Sequence, residues 1–233
     1  MLLLAVLSAL LLSIPFYTWG TGFLLMVAFV PLLFVEDEIA KRKSRRAKKD
    51  RKGSVIGYAL ITSVLFVVLT SWWIWYATWT GPVAAVIVTG SYMTLAFYLF
   101  HYTRRRLGDR LGYASLVFYW LTFEFFYLRA QINFPWTMLG NGFAKDVWTI
   151  QWYEWTGVLG GSLWVLVMNI LVFKLVKGWK AKGSSGARPT LSANRRALSR
   201  VLAVLLIPML FSAVRFFTYE EKDDPYEMVV LQP

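Results

Sequence analysis

The stretch FPWTMLGNGFAKDVWTIQWYEWTGVLGG, residues 134–161, lies between two strongly apolar runs and combines aromatic residues, turn-forming residues and charges. Proline disfavours a helical conformation in the residue before it, so we expect Phe134 to lie in an extended or turned chain ahead of Pro135. Asn141 and Gly142 together favour a turn with positive φ. A connection between membrane spans is usually short, whereas this one is long and amphipathic. We therefore expect it to fold back onto the outer membrane surface and to roof a cavity.

The residues on either side have the composition of a polytopic membrane protein. The 233 residues are 58% hydrophobic and 18% aromatic, well above the apolar share of about 45–50% in soluble domains. A helix needs about 20 apolar residues to cross the bilayer core. We therefore predict an all-α fold with about seven transmembrane helices, in residues 2–17, 20–35, 54–79, 82–101, 112–129, 156–176 and 199–217.

The first two segments are short and joined by a tight turn, which favours a helical hairpin. A cleaved signal peptide is the alternative for the first segment. Basic residues before the apolar run and a small-residue cleavage site after it are typical of signal peptides, and the sequence has no basic residue before this run and no clear site after it.

Positive charge is concentrated in alternate connections between these segments. Nine Lys and Arg residues lie in 36–53, four in 101–110 and eight in 174–200, which accounts for 21 of the 25 in the chain. Connections rich in Lys and Arg face the cytoplasm, so the amino terminus is predicted to be cytoplasmic and the carboxyl end periplasmic. The net charge of +12 then reflects topology and attraction to anionic lipid, and no nucleic-acid partner is predicted.

Few residues offer chemistry. The chain has no cysteine and one histidine, so thiol catalysis, disulfides and multi-histidine metal sites are excluded. None of the common catalytic motifs occurs. We predict no catalytic residue in this chain, no metal and no cofactor. The histidine, His101, lies at the inner end of the fourth segment beside Tyr102 and Arg104 and is expected to be an ordinary interfacial residue.

Glu124 and Asn169 are two of the polar residues that lie inside predicted spans. An ionisable group at membrane depth is a functional hypothesis by default, and Glu124 could relay a proton or pair with Arg129. No second carboxylate or histidine lies nearby in the sequence, so a structural role for Glu124 is favoured. Asn169 needs a hydrogen-bond partner within the helical bundle.

A second group of residues is predicted to line or roof a lipid or substrate cavity. Tryptophans at a helix end usually form an interfacial belt, and contact with a lipid substrate is the alternative for those that end the third segment. The small residues Gly160 and Gly161 are expected to allow close helix contact just after the helix begins at Thr156 and Gly157. The cavity candidates are Trp136, Pro135, Phe134, Gln151, Tyr153, Glu154, Trp72 and Trp73.

The stretch from Phe134 to Asn169 resembles the segment joining the fifth and sixth helices of bacterial apolipoprotein N-acyltransferases. The resemblance rests on an aromatic–Pro–Trp element, a Leu-Gly pair, a Gln, a Gly-x-x-Gly helix start and an Asn within the helix. These are Phe134, Pro135, Trp136, Leu139, Gly140, Gln151, Gly157, Gly160 and Asn169, preceded by Trp120 and Glu124 in the fifth segment. Arg129 lies five residues after Glu124, where the family commonly has a basic residue three after it, so no role is transferred to Arg129.

The resemblance implies an enzyme of the bacterial inner membrane. Such enzymes move an acyl chain from a phospholipid donor to the α-amino group of a diacylglyceryl apolipoprotein acceptor. They act through a thioester on a cysteine, assisted by a Glu and a Lys, in a periplasmic nitrilase-like domain after the seventh helix. Since this chain lacks cysteine, we expect it alone to be inactive.

The same resemblance divides the chain. Residues 1–218 are expected to form the transmembrane domain, and residues 219–233 a periplasmic linker followed by the first strand of a truncated nitrilase-like domain, in MVVLQP. The alternative is a non-enzymatic membrane scaffold, or a lipid- or lipoprotein-binding partner of a separately encoded nitrilase-like chain. A small transporter is less favoured, because such proteins usually have several intramembrane charges or paired broken helices.

Overall fold

The computed structural model describes residues 1–44, 54–129, 134–184 and 191–220. Within these ranges the α-helices are α1 Leu2–Ser13, α2 Leu25–Ala28, α3 Val30–Ser44, α4 Val55–Ser71, α5 Thr80–Arg129, α6 Tyr153–Ser184 and α7 Leu191–Thr218. Short 3₁₀ helices occur at Ile14–Phe16, Gly22–Leu24, Trp72–Tyr76, Pro135–Thr137, Leu139–Phe143 and Val147–Thr149. The described residues contain no strand, which confirms the all-α prediction for them. The strand predicted at 228–233 lies outside the described residues.

Four of the described helices are long and apolar enough to cross a membrane, namely Val55–Tyr76, Thr80–Arg129, Tyr153–Lys180 and Arg195–Thr218. A shorter apolar helix occupies Leu2–Phe16. These lengths and compositions are those of a multi-pass membrane protein. The count of seven spans and the cytoplasmic amino terminus stay predictions.

Helix α5 is a helical hairpin. Gly108, with φ of 81° and ψ of 179°, interrupts it in a region of backbone space that favours glycine. At this turn the Arg104 guanidinium donates to Asp109 over 2.8 Å. Near the other end the hydroxyls of Thr89 and Tyr127 lie 2.6 Å apart. The fourth and fifth predicted segments are therefore two antiparallel helices that continue up to a turn at Gly108.

The second predicted segment is one helix interrupted at Phe29, between α2 and α3. The amide of Asn169 from α6 lies where the helical bond from Phe29 N–H to the Leu25 carbonyl would form. Its oxygen accepts from Phe29 N at 2.8 Å, and its nitrogen donates to the Leu25 carbonyl at 2.6 Å and to the Val165 carbonyl at 2.8 Å. The polar side chain thus restores both partners of a broken backbone bond in an apolar bundle.

A second pair of backbone groups at the interruption, the Leu32 N–H and the Ala28 carbonyl, is bridged by Ser8 of α1. Its hydroxyl donates to the Ala28 carbonyl at 2.6 Å and accepts from Leu32 N at 3.0 Å. In a regular α-helix the Leu32 N–H would donate directly to the Ala28 carbonyl. Pro31, which precedes Leu32, has no N–H to donate. A proline together with an inserted hydroxyl is an established cause of a helix kink.

The bundle is unevenly buried. Ala5, Ala9 and Leu12 of α1 are fully buried. Of an 18-residue apolar stretch in α6, 56% is buried in the protein, whereas the corresponding share for α7 is 11%. The interrupted helix is more buried than α1, since Leu33 is fully buried whereas Leu3 of α1 is 83% exposed. The interrupted helix and α6 therefore form the centre of the bundle, α1 packs against them with one face, and α7 lies at the edge.

A cluster of charges joins the helix ends on the side opposite residues 134–152. It contains three carboxylates and three cations, which are Glu36, Asp37, Asp109, Lys41, Arg104 and Lys177. The buried Arg104 guanidinium donates to all three carboxylates, over 2.7 Å to Asp37 and 2.8 Å to Asp109. His101 Nδ1 lies 2.7 Å from Glu36 Oε1, so the expectation that His101 is an ordinary interfacial residue is wrong.

Asp37 lies beyond the predicted span 20–35 and has the most cationic partners. Burial by itself would raise the pKa of its carboxyl, but hydrogen bonds from Arg104, Lys177 and Lys41 hold this pKa well below the ordinary value of 3.8. A carboxyl whose pKa is lowered in the folded state stabilises that state above its unfolded pKa. This contribution is lost as the pH falls through the folded pKa.

We expect Asp37→Asn to destabilise the protein at neutral pH by about 3 kcal/mol, because it leaves buried cations without their counter-charge. The matched control is Asp109→Asn, since the Asp109 side chain is 62% exposed whereas that of Asp37 is 4% exposed. The melting temperature in lipid nanodiscs measures the difference. Equal shifts in the two variants would show that the buried contacts of Asp37 add nothing.

Candidate functional site

Residues 134–152, here called the docked loop, fold into three consecutive 3₁₀ helices. Phe134 has φ of −134° and ψ of 67°, outside the helical region as expected before Pro135. The Pro135 carbonyl accepts from the Asn141 side chain at 2.7 Å, which closes the first turn. The predicted positive-φ turn at Asn141 and Gly142 is wrong, because Leu139–Phe143 is a 3₁₀ helix. Gly142 is needed there for space, since a Cβ would lie 2.3 Å from the Leu25 side chain.

The buried carboxyl of Glu124 holds the start of the loop. Its Oε1 accepts from the backbone N–H of Leu139 at 3.0 Å and from Trp120 Nε1 at 3.1 Å. Its Oε2 has no hydrogen-bond partner among the described residues. Arg129 does not pair with it: the guanidinium lies 4.8 Å from the Phe125 ring centroid. These hydrogen bonds are of the kind expected for a structural role of Glu124, which stays a prediction.

The next residue of the loop, Gly140, is held by α6. Its N–H donates to the Ser162 hydroxyl at 3.0 Å, and its carbonyl accepts from the Tyr153 hydroxyl at 3.0 Å. A Cβ at Gly140 would lie 2.1 Å from the Val158 carbonyl oxygen, and one at Gly161 would lie 1.7 Å from the Tyr153 hydroxyl. The small residues therefore allow the loop and Tyr153 to approach α6. Close packing was expected at Gly161, and the backbone that approaches it is that of Gly140 in the docked loop.

Gly157 marks where the regular part of α6 begins. Its φ of 62° and ψ of −171° interrupt the helix and place it in the left-handed half of backbone space, which favours glycine. Glu154 and Trp155 precede this break and lie exposed at the surface.

The far end of the loop is attached to the amino-terminal hairpin. The Asp146 carboxylate accepts from Gly22 N at 2.7 Å and from the Thr21 hydroxyl at 3.1 Å. The Lys145 ammonium donates to the Tyr17 carbonyl. Between these anchors and Glu124, the fully buried Phe143 packs on Trp164 with ring centroids 5.3 Å apart. The loop is thus held at both ends by polar contacts and in the middle by the buried Phe143 side chain.

The predicted cavity residues separate into two surfaces. On one side Trp136 stands edge-on to Trp73, with ring centroids 5.9 Å apart, and Trp72 directly precedes Trp73 in the same 3₁₀ helix. All three tryptophans are exposed. We call Trp72, Trp73 and Trp136 the tryptophan rim; Phe134 beside it is half-buried against the core.

The polar candidates lie on the other side of the loop. Glu154 Oε2 accepts from Arg215 of α7 at 3.2 Å, and Gln151 donates to the Val147 carbonyl at 2.9 Å. With Ile150 and Tyr219 these residues line a shallow pocket of 380 Å³. The Tyr153 hydroxyl donates to the Gly140 carbonyl. The structure therefore does not bring Tyr153, Gln151 and Glu154 together with the tryptophan rim.

A larger groove, of 810 Å³, lies between the two halves of α5. Val88, Tyr92 and Leu95 line one wall, and Phe123 and Phe126 line the other. Arg129 lies at the end that leads into the docked loop and is the charged residue of the lining. This groove was not predictable from the sequence, because its walls come from two helices whose pairing depends on the turn at Gly108.

The arrangement is suited to holding lipid. No group of three or more His, Cys, Asp or Glu side chains that could bind a metal occurs in the described ranges, and cysteine is absent from the whole sequence. An apolar groove with a cation at its end fits a long acyl chain with a polar head.

Comparison with known proteins identifies relatives. The family described as Apolipoprotein N-acyltransferase N-terminal domain matches residues 8–171. A curated apolipoprotein N-acyltransferase of Chlorobaculum tepidum is 31% identical over 175 residues, which are 74% of this chain and 31% of that protein. One of Geobacter metallireducens is 27% identical over 236 residues, which are 99% of this chain and 42% of that protein. The chain therefore spans less than half the length of these relatives. No solved structure matches it significantly.

We expect Glu124→Leu to release the start of the docked loop, because the Leu139 N–H and Trp120 Nε1 lose their acceptor. A buried polar group without a partner costs about 1–3 kcal/mol, so hydrogen exchange in peptides covering 135–143 should accelerate by about tenfold or more. Exchange is measured by mass spectrometry in lipid nanodiscs.

Glu124→Gln is the control, because its amide oxygen can replace Oε1 and its exchange should stay close to that of the unmodified protein. Exchange in Glu124→Leu that matches the unmodified protein would contradict the anchoring role.

Proposed function

The chain belongs to the family of apolipoprotein N-acyltransferase N-terminal domains, and from this premise we propose that it is the membrane part of an enzyme that acylates lipoproteins. The donor is a phospholipid, and the acceptor is the α-amino group of a diacylglyceryl apolipoprotein. The enzyme lies in the bacterial inner membrane, with the amino terminus of this chain in the cytoplasm and the docked loop at the periplasmic face.

The observation that supports this most is the docking of residues 134–152 over the bundle. These residues lie inside the matched range 8–171. Glu124 and Ser162 accept hydrogen bonds from the loop's Leu139 and Gly140 N–H groups, and the loop's own Asp146 accepts one from Gly22 N. A loop held in this way keeps Trp136 beside Trp73, and we propose that both lie at the level where lipid headgroups meet acyl chains.

We propose that the groove in α5 takes the acyl chain of a lipid substrate. Its 810 Å³ lies within the range of roughly 300–1,000 Å³ typical of ligand sites. Arg129 would bind a phosphate or carbonyl oxygen at the mouth of the groove, and the tryptophan rim would contact the upper part of the chain. The roles of Phe134, Pro135, Gln151, Tyr153 and Glu154 as cavity residues remain part of this proposal.

The reacting groups are proposed to come from outside this chain. The cysteine thioester implied by the family requires a thiol, and this sequence contains none. We therefore propose that the chain alone is inactive and works with a nitrilase-like catalytic region, either joined after residue 218 or supplied as a separate chain. Asn169 and Glu124 have structural roles in this scheme.

The test is a chimera in which residues 1–218 of this chain precede the catalytic region of the Chlorobaculum tepidum relative. It is expressed in a host depleted of its own N-acyltransferase. Mass spectrometry of the amino-terminal peptide of a lipoprotein measures acylation of the α-amino group. We expect the chimera to restore acylation.

Trp136→Ala should lower acylation by the chimera by about threefold to tenfold, the loss expected for one aromatic contact. The matched control is Trp155→Ala, because Trp155 is 60% exposed and Trp136 is 61% exposed, but Trp155 packs on Phe211, away from the rim. A chimera present at normal levels that acylates nothing would favour the scaffold alternative. Equal losses in the two tryptophan variants would contradict a substrate role for the rim.

A further inference from the structure

A pocket of 350 Å³ lies on the first half of α5, at the end opposite the docked loop. Its lining is Tyr98, His101, Tyr102, Arg105 and Arg106. The spacing of three and four residues places these side chains on one face of the helix. The proposed function does not use this pocket.

His101, one of the residues that line the pocket, has a buried ring nitrogen without a hydrogen-bond partner among the described residues. His101 is 5% exposed, and its Nδ1 lies 2.7 Å from Glu36 Oε1. A carboxylate accepts hydrogen bonds, so Nδ1 has the hydrogen and Nε2 is the ring nitrogen left for the pocket. Nε2 has no hydrogen-bond partner among the described residues. Buried polar atoms of this kind are uncommon in proteins unless a ligand or water completes them.

The charges around the pocket leave an excess of positive charge. The neighbouring cluster of Glu36, Asp37, Asp109, Lys41, Arg104 and Lys177 is internally balanced, with three charges of each sign. Arg105 and Arg106 are exposed, and neither forms an ion pair with another described residue. The Arg106 guanidinium lies 5.4 Å from the centroid of the Tyr102 ring, which keeps it at the pocket wall. Two guanidinium groups therefore line the pocket without a carboxylate partner among the described residues.

We propose that this pocket binds the phosphate of an anionic phospholipid headgroup at the membrane face opposite the docked loop. Guanidinium groups match phosphate oxygens in pairs, and the hydroxyls of Tyr98 and Tyr102 add further donors. Basic pockets at the ends of membrane helices bind anionic headgroups. Because Nδ1 donates to Glu36, Nε2 is an acceptor, and a hydroxyl of a headgroup such as that of phosphatidylglycerol would donate to it.

The test is native mass spectrometry of the purified chain with phosphatidylglycerol, phosphatidylcholine or inorganic phosphate. The unmodified chain should bind phosphatidylglycerol in preference to phosphatidylcholine. The double variant Arg105→Ala with Arg106→Ala should weaken phosphatidylglycerol binding by roughly tenfold or more. His101→Asn retains an amide that can donate to Glu36 and lacks Nε2, so it should weaken binding while the melting temperature stays nearly unchanged.

The control double variant, Arg110→Ala with Arg195→Ala, also removes two exposed positive charges, but neither residue lines the pocket. It should change binding by less than about threefold if attraction is local to the pocket. An equal loss in both double variants would overturn the proposal in favour of general attraction to charge. Binding of inorganic phosphate without preference for phosphatidylglycerol would overturn the lipid assignment and identify free phosphate as the ligand.

Discussion

The amide of Asn169 takes the place of a backbone hydrogen bond in the second helix, and the arrangement of the bundle depends on it. Inside the hydrocarbon core of a membrane, an unpaired backbone N–H or carbonyl group cannot form a hydrogen bond with water. The interruption at Phe29 is tolerated because Asn169 satisfies both Phe29 N and the Leu25 carbonyl, while Ser8 bridges Ala28 and Leu32. These contacts join α1, the interrupted helix and α6 to one another.

The same constraint explains how the docked loop is held over the bundle. Irregular backbone near a membrane must find partners in the protein, and polar side chains from three regions provide them. Glu124 accepts from Leu139 N, Ser162 from Gly140 N and Asp146 from Gly22 N. The polar residues Glu124, Ser162 and Asn169 inside the predicted spans therefore bind backbone groups, while Trp72, Trp73 and Trp136 remain exposed.

Sequence patterns predicted much of this fold because they follow from solvation. Long apolar runs predict helices, and Pro135 predicted the non-helical Phe134. The partners of Asn169 and Glu124 were not predictable, since they depend on which helices pack together. The burial of His101 was missed for the same reason: Glu36 and Arg104 lie 65 and 3 residues away in sequence, and only the packing of α3 against the hairpin brings all three into contact. The prediction of a positive φ at Gly142 was wrong because a glycine can also serve close packing, as Gly142 does against Leu25. The described glycines with positive φ are Gly108 and Gly157.

The account requires the docked loop and the basic helix ends to lie on opposite sides of the membrane, with the loop in the periplasm. The absence of cysteine makes this testable with single introduced cysteines at two exposed positions, Val147→Cys in the loop and Arg110→Cys at the basic end. Spheroplasts are treated with a membrane-impermeant maleimide before and after permeabilisation. The account predicts that Val147→Cys is labelled in intact spheroplasts and that Arg110→Cys is labelled only after permeabilisation. Labelling of Arg110→Cys in intact spheroplasts, with Val147→Cys protected, would contradict it.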